Sequence, residues 1–119
     1  MIEGSCHCGA VVFRITNPPK WLTDCNCTLC RRVGALWAHV DINDVTIISD
    51  AEATTSYIQG DKTLATHTCN TCGCTTHWEN LKPGSSSQMA VNFRMCSPAD
   101  VSRLTIRKFD GFDTWRFLD

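Results

Sequence analysis

The chain has 119 residues, 43% of them hydrophobic and 19% charged, with a formal net charge of −1. That length suits one domain over 1–119 with a modest core, and the composition excludes a disordered polymer. No apolar run approaches the roughly 20 residues a bilayer requires, and 11 Lys and Arg stand against 12 Asp and Glu without forming a block, so the basic field of a nucleic-acid binder is missing.

Alternation of Val11, Phe13 and Ile15 with Val12 and Arg14 predicts a first strand, ended by Asn17-Pro18-Pro19. Trp21 to Asp24 reads as a second strand that delivers Cys25. Thr28 to Val33 fits one helical turn closed by Gly34. Ala35 to Ile42, with Leu36, Ala38 and Val40 on one face, and Val45 to Ile48 follow as strands. Ser49 to Ser56 is polar and reads as a loop. Gly60-Asp61-Lys62 is a hairpin turn between Tyr57-Ile58-Gln59 and a strand over Thr63 to Thr68. Thr75 to Trp78 is another strand. Pro83-Gly84 and three serines mark Lys82 to Ser87 as a loop. Gln88 to Phe93 and Leu104 to Phe109 then read as strands, separated by a short helical turn at Ser97 to Asp100. The expected fold is mainly β.

Sulfur is the anomaly, with nine cysteines in this short chain. Cys6 and Cys8 form C-x-C, Cys25, Cys27 and Cys30 form C-x-C-x-x-C, and Cys69, Cys72 and Cys74 form C-x-x-C-x-C. Cys96 stands alone and reads as a small buried hydrophobe. Disulfide frameworks spread their cysteines across loops, and residues two apart rarely bridge each other. A C-x-x-C turn instead aims two thiolates at one point about 2.3 Å from each, which suits tetrahedral zinc. The cluster that begins at Cys6 leaves no room for a leader peptide, so a reducing, cytoplasmic setting is expected.

The clustered thiols match two zinc ions. Cys6 and Cys8 with Cys69 and Cys72 make a closed, structural site of four cysteines. Cys25, Cys27 and Cys30 make a second, with Cys74 as a potential fourth ligand. Three ligands and an exchangeable fourth position are what catalytic zinc requires. Two four-thiolate sites would each carry about −2, making the holoprotein more acidic than its composition suggests.

These segments resemble a known family. Gly4-Ser5-Cys6-His7-Cys8-Gly9-Ala10 followed by a strand, Cys25-Asn26-Cys27-Thr28-Leu29-Cys30-Arg31-Arg32, and Cys69-Asn70-Thr71-Cys72-Gly73-Cys74 resemble the three clusters of the glutathione-dependent formaldehyde-activating enzyme (GFA/CENP-V-type) family. Val91-Asn92-Phe93-Arg94 and Phe109-Asp110-Gly111 are similar to a subgroup of aldehyde-activating-like members. The resemblance implies a β-tent fold of coiled antiparallel sheets and two zinc ions. It also implies that Cys6, Cys8, Cys69 and Cys72 form the structural site and Cys25, Cys27 and Cys30 the catalytic one. The implied activity is the carbon–sulfur lyase-class condensation of glutathione with formaldehyde. For glutathione carboxylates the sequence offers only Arg31, Arg32 and Arg94.

Four histidines complete the candidates. His7 lies between two ligands and reads as a surface residue. His39 and His67 fall on strands, as structural histidines or as carriers of the proton that moves when a thiol adds to an aldehyde. His77 could contact the metal ligands from behind. Trp37, Trp78 and Trp115 read as core or pocket wall, and Asp110-Gly111 as a turn. The competing reading is a zinc-stapled binding module in which both sites are structural. A third, nucleic-acid or cytoskeletal binding, is suggested by other proteins with this domain, and the balanced charge disfavours it.

Overall fold

The computed structural model describes residues 1–119. Eleven strands and two short helices follow one another, each expected strand being found within a few residues of its place. They are β1 (Ile2–Ser5), β2 (Val12–Ile15), β3 (Trp21–Cys25), α1 (Cys30–Val33), β4 (Trp37–Asp41), β5 (Val45–Ile48), β6 (Thr54–Ile58), β7 (Leu64–Cys69), β8 (Thr75–Asn80), β9 (Gln88–Asn92), α2 (Pro98–Ser102), β10 (Thr105–Asp110) and β11 (Arg116–Phe117).

Two strands were not expected. β1 is too short and polar to show alternation, yet it pairs with β2 from Ile2↔Ile15 to Ser5↔Val12. Gly4 is buried there against the Phe13 ring, which leaves no room for a Cβ. β11 is a two-residue strand that its pairing with β10 creates. The polar stretch expected as a loop over Ser49–Ser56 is a loop only to Ala53. From Thr54 it is an edge strand whose side chains face water, so it carries no apolar signal.

The strands form a three-stranded sheet, β1-β2-β5, and an eight-stranded sheet, β11-β10-β3-β4-β9-β8-β7-β6. All neighbours are antiparallel except β3 and β10, which run parallel from Trp21↔Thr105 to Cys25↔Phe109.

Successive strand residues point to opposite faces, and in the large sheet both faces are occupied. Leu22, Ala38, Val40, Met89 and Val91 face the small sheet and pack with Phe13, Ile15, Leu36 and Phe93 in the main core. Cys96 joins that core at 8% exposed, where burial pushes its thiol up to about 12, so it acts as an apolar group. The intervening residues, including Thr23, Cys25, Trp37, His39, Thr66 and Trp78, line a cavity on the other face.

Candidate functional site

The first cluster joins two turns distant in sequence. Cys6 and Cys8 lie on the connection from β1 to β2, where Gly9 (φ +86°) lets its N–H reach the Cys6 carbonyl at 3.1 Å. Cys69 ends β7, and Gly73 (φ +79°) reverses the chain so that the Cys69 N–H meets the Cys74 carbonyl at 2.8 Å. Only glycine adopts such left-handed backbone without strain. The Sγ atoms of Cys6, Cys8, Cys69 and Cys72 all lie within 4.8 Å of one another. Cys6 to Cys8 is 3.7 Å and Cys8 to Cys69 is 3.6 Å, close to the edge of about 3.8 Å that a tetrahedron with 2.3 Å zinc–sulfur bonds has. The Val11 N–H donates to Cys6 Sγ at 3.3 Å. Backbone N–H groups, that of Cys74 first, pull the Cys72 thiol down to about 5. Such donors favour thiolate, the form that binds metal. These residues fit a four-sulfur metal site.

The second cluster is local. Cys25 ends β3, Cys27 lies in the following turn, and Cys30 opens α1, so their Sγ atoms also converge within 4.8 Å. The Cys27 N–H donates to Cys25 Sγ at 3.4 Å and the Cys30 N–H to Cys27 Sγ at 3.2 Å. Trp37 Nε1 donates to Cys30 Sγ at 3.3 Å. The Cys30 thiol hydrogen-bonds Cys25, drawing Cys25 below the ordinary cysteine range while Cys30 is pushed above it. This donor set also fits a metal ion, with three protein sulfurs.

Cys74 does not join it. It lies beside Cys72 and the His7 backbone at the first cluster, because the β7–β8 turn folds the whole 69–74 segment to one place. Cys74, expected as a potential fourth ligand of the second site, stands beside the first instead.

The segment after β10 braces the second cluster. The Asp110 carboxylate, 9% exposed, accepts from Asn26 Nδ2 at 3.1 Å, from the Asp113 and Thr114 N–H groups and from Thr114 Oγ1. Asn26 Oδ1 in turn accepts from the Phe112 N–H at 2.9 Å. The turn at Asp110-Gly111 is therefore structural, and it pins the tail to the cysteine loop. A Cβ on Gly111 would stand 2.9 Å from Cys25 Sγ and from Cys27 Cβ. Gly111→Ala should displace these sulfurs and lower the metal content of the second cluster while the first keeps its own. Metal analysis after mild chelation reads this, and unchanged retention would show that the close approach is harmless.

The three cysteines of the second cluster line a cavity of about 590 Å³. Trp37, Trp78 and Trp115 all line it, joined by Trp21, Leu64, Phe109 and Phe117, which the sequence reading passed over. His39 lines it too, its ring edge-on to Trp78 with centroids 5.9 Å apart. Burial holds His39 below the usual histidine range, so the ring is neutral near pH 7.

The other histidines do not enter the cavity. His7 is exposed. His67 and His77 stack on the opposite face of β7 and β8, with ring centroids 4.5 Å apart and planes 5° from parallel. His67 Nδ1 pairs with Thr54 Oγ1 and Nε2 with Glu79 Oε1. His77 pairs with Thr76 Oγ1 at 2.8 Å rather than supporting a cysteine, since three residues of strand carry it away from the cluster. Burial, then repulsion from His67, pulls His77 from 6.5 down to about 4. The unfolded chain therefore binds the proton first as pH falls. Stability is complete above pH 6.5 and declines toward pH 4 by roughly 3 kcal/mol from this group. Denaturant melts at pH 7 and pH 5 should show a smaller loss for His77→Gln than for the parent, since acid attack on the thiolates weakens both alike. Equal losses would refute the assignment.

Fold and site together define a mainly β protein with two separate cysteine-only groups able to hold metal. A family model described as glutathione-dependent formaldehyde-activating enzyme matches residues 1–103, and the chain belongs to that family. It is 38% identical over 63 residues to a Halomonas elongata protein named "Putative glutathione-dependent formaldehyde-activating enzyme", a match covering 48% of this chain and 40% of that relative. The matched segment thus spans less than half of the relative's length. A crystal structure of a Rhodobacter sphaeroides protein is similar at 30% identity and a TM-score of 0.70, over 88% of this chain and 99% of that one. No helix is long and apolar enough to cross a membrane.

Proposed function

We propose that residues 1–119 act as one zinc-dependent domain that joins a small thiol to an aldehyde, or cleaves the adduct, in the cavity beside Cys25, Cys27 and Cys30. The observation that carries this reading is the contrast between the clusters. Four sulfurs surround the first site, whereas three sulfurs converge at the second, beside a cavity large enough for a small molecule. Cys6, Cys8, Cys69 and Cys72 would hold a structural zinc, and Cys25, Cys27 and Cys30 a zinc that lowers the pKa of a substrate thiol and presents it as thiolate. A reducing, cytoplasmic setting goes with this reading, because all nine cysteines are free thiols.

In the addition a carbon–sulfur bond forms, the carbonyl π bond opens, and the proton first carried by sulfur ends on the carbonyl oxygen. His39 is the cavity group suited to hold that proton on a ring nitrogen. Burial holds its pKa below the usual histidine range, so the ring meets the substrate neutral and able to accept a proton. Trp37 fixes the Cys30 sulfur through its indole N–H, and aromatic side chains line the cavity beside it.

The test follows adduct formation by NMR with zinc-loaded protein, from formaldehyde or benzaldehyde paired in turn with glutathione and phenylmethanethiol. His39→Gln should lower the rate about 10²-fold with both metals retained. A parent protein no faster than the uncatalysed reaction would leave the non-catalytic binding module as the better reading.

A further inference from the structure

Glutathione carries two carboxylates and one ammonium group, so a pocket that selects it needs cations placed against the carboxylates. The arginines available for that work point elsewhere. Arg31 lies 6.0 Å over the Phe112 ring, Arg32 donates to the Thr28 carbonyl at 2.6 Å, and Arg94 donates to the Gly34 carbonyl at 3.0 Å. None of the three lines the cavity. Arg107 stacks against Trp21 and Phe117 but is paired through two nitrogens with Asp119 at 2.6 and 2.9 Å. Lys20, exposed, is the sole cation among the lining residues.

The remaining surface is of the opposite character. Apart from the three cysteines, eight of the other 14 residues that line the cavity are hydrophobic, Trp21, Trp37, Leu64, Trp78, Phe109 and Phe117 among them. Where the three cysteines line it, the cavity would carry negative charge with a metal bound. Three cysteine thiolates outweigh a divalent ion by one charge, and the Asp110 carboxylate lies behind them through Asn26. A carboxylate carried into this space would lose water, meet like charge and find at most one lysine. An aromatic ring would gain edge and face contacts and release water from apolar surface.

We infer that the cavity selects its ligand by an uncharged aromatic body, carried by the thiol or by the aldehyde, and disfavours glutathione. The inference rests on the proposed thiol–aldehyde reading for the reactive end of the ligand, whereas the selection itself follows from the walls.

The test is titration calorimetry of the zinc-loaded protein with phenylmethanethiol, benzaldehyde, benzyl alcohol and glutathione. At least one of the first two should bind about tenfold or more tightly than glutathione. Tighter binding of phenylmethanethiol places the aromatic body on the thiol, and tighter binding of benzaldehyde places it on the aldehyde. Leu64→Arg should weaken the aromatic ligand about tenfold. Gln88→Arg, at an exposed position on the cavity rim, should instead strengthen glutathione. Glutathione binding as tightly as both aromatic probes, and lost in Cys27→Ser, overturns the selection while leaving the thiol reading intact. Benzyl alcohol binding as well as phenylmethanethiol, with Cys27→Ser changing neither, supports aromatic selection and overturns the thiol reading. Failure of every probe to bind overturns both.

Discussion

Cys72→Ser is expected to leave the chain unfolded or insoluble. Cys72 belongs to the group that ties the β1–β2 turn to the β7–β8 turn, and Cys8 and Cys69 alone are 61 residues apart in sequence. Structural zinc in small domains contributes about 10–16 kcal/mol of folding free energy, whereas a whole domain is stable by only about 5–15 kcal/mol. Three remaining sulfurs would hold the ion more weakly, and the loop it closes would reopen. Circular dichroism and a thermal melt decide the matter. A well-folded variant with an unchanged Tm would mean that these four cysteines do not hold a metal that the fold needs.

Cys27→Ser should give the opposite pattern, with the fold kept and the chemistry lost. Its cluster draws on one short segment from β3 to α1, and that segment is already secured by β3 pairing with both β4 and β10. Metal content should fall from two ions per chain to one, and thiol binding should disappear. In the parent, millimolar glutathione or a chelator should perturb the second site before the first, since a single local segment releases metal more readily than a clamp between two. Equal retention of both ions during thiol titration, with catalysis absent, would remove the basis for assigning different roles to the clusters.

Both metal-ligand groups were legible in the sequence because C-x-C and C-x-x-C fix short-range geometry, whatever the rest of the chain does. The placement of Cys74 was not. Spacing alone allows it on either site, and only the reversal at Gly73 decides. Strand β4 shows a similar division. Leu36, Ala38 and Val40 announced a core face, while the alternate residues Trp37 and His39 also carried information, since large rings on the second face of a strand require a second covering or a cavity. The same holds for Trp21 on β3 and Leu64 on β7, whose side chains also line the cavity. Nothing local could have revealed the β3–β10 pairing. Parallel partners some eighty residues apart leave no turn signature between them, and the pairing sets Phe109 opposite Cys25.

That pairing divides the protein in a way its sequence order conceals. Both cysteine groups lie within residues 1–103, the span that matches the family model, whereas Phe109, Trp115 and Phe117 of the cavity wall lie beyond it. The tail is anchored by the β3–β10 backbone ladder and by the Asn26–Asp110 clasp. Exchanging the three aromatic residues while keeping Asp110 and Gly111 would redraw the pocket's preferences without disturbing a single sulfur. Under the proposed function, this part of the ligand wall would then vary apart from the residues that hold metal.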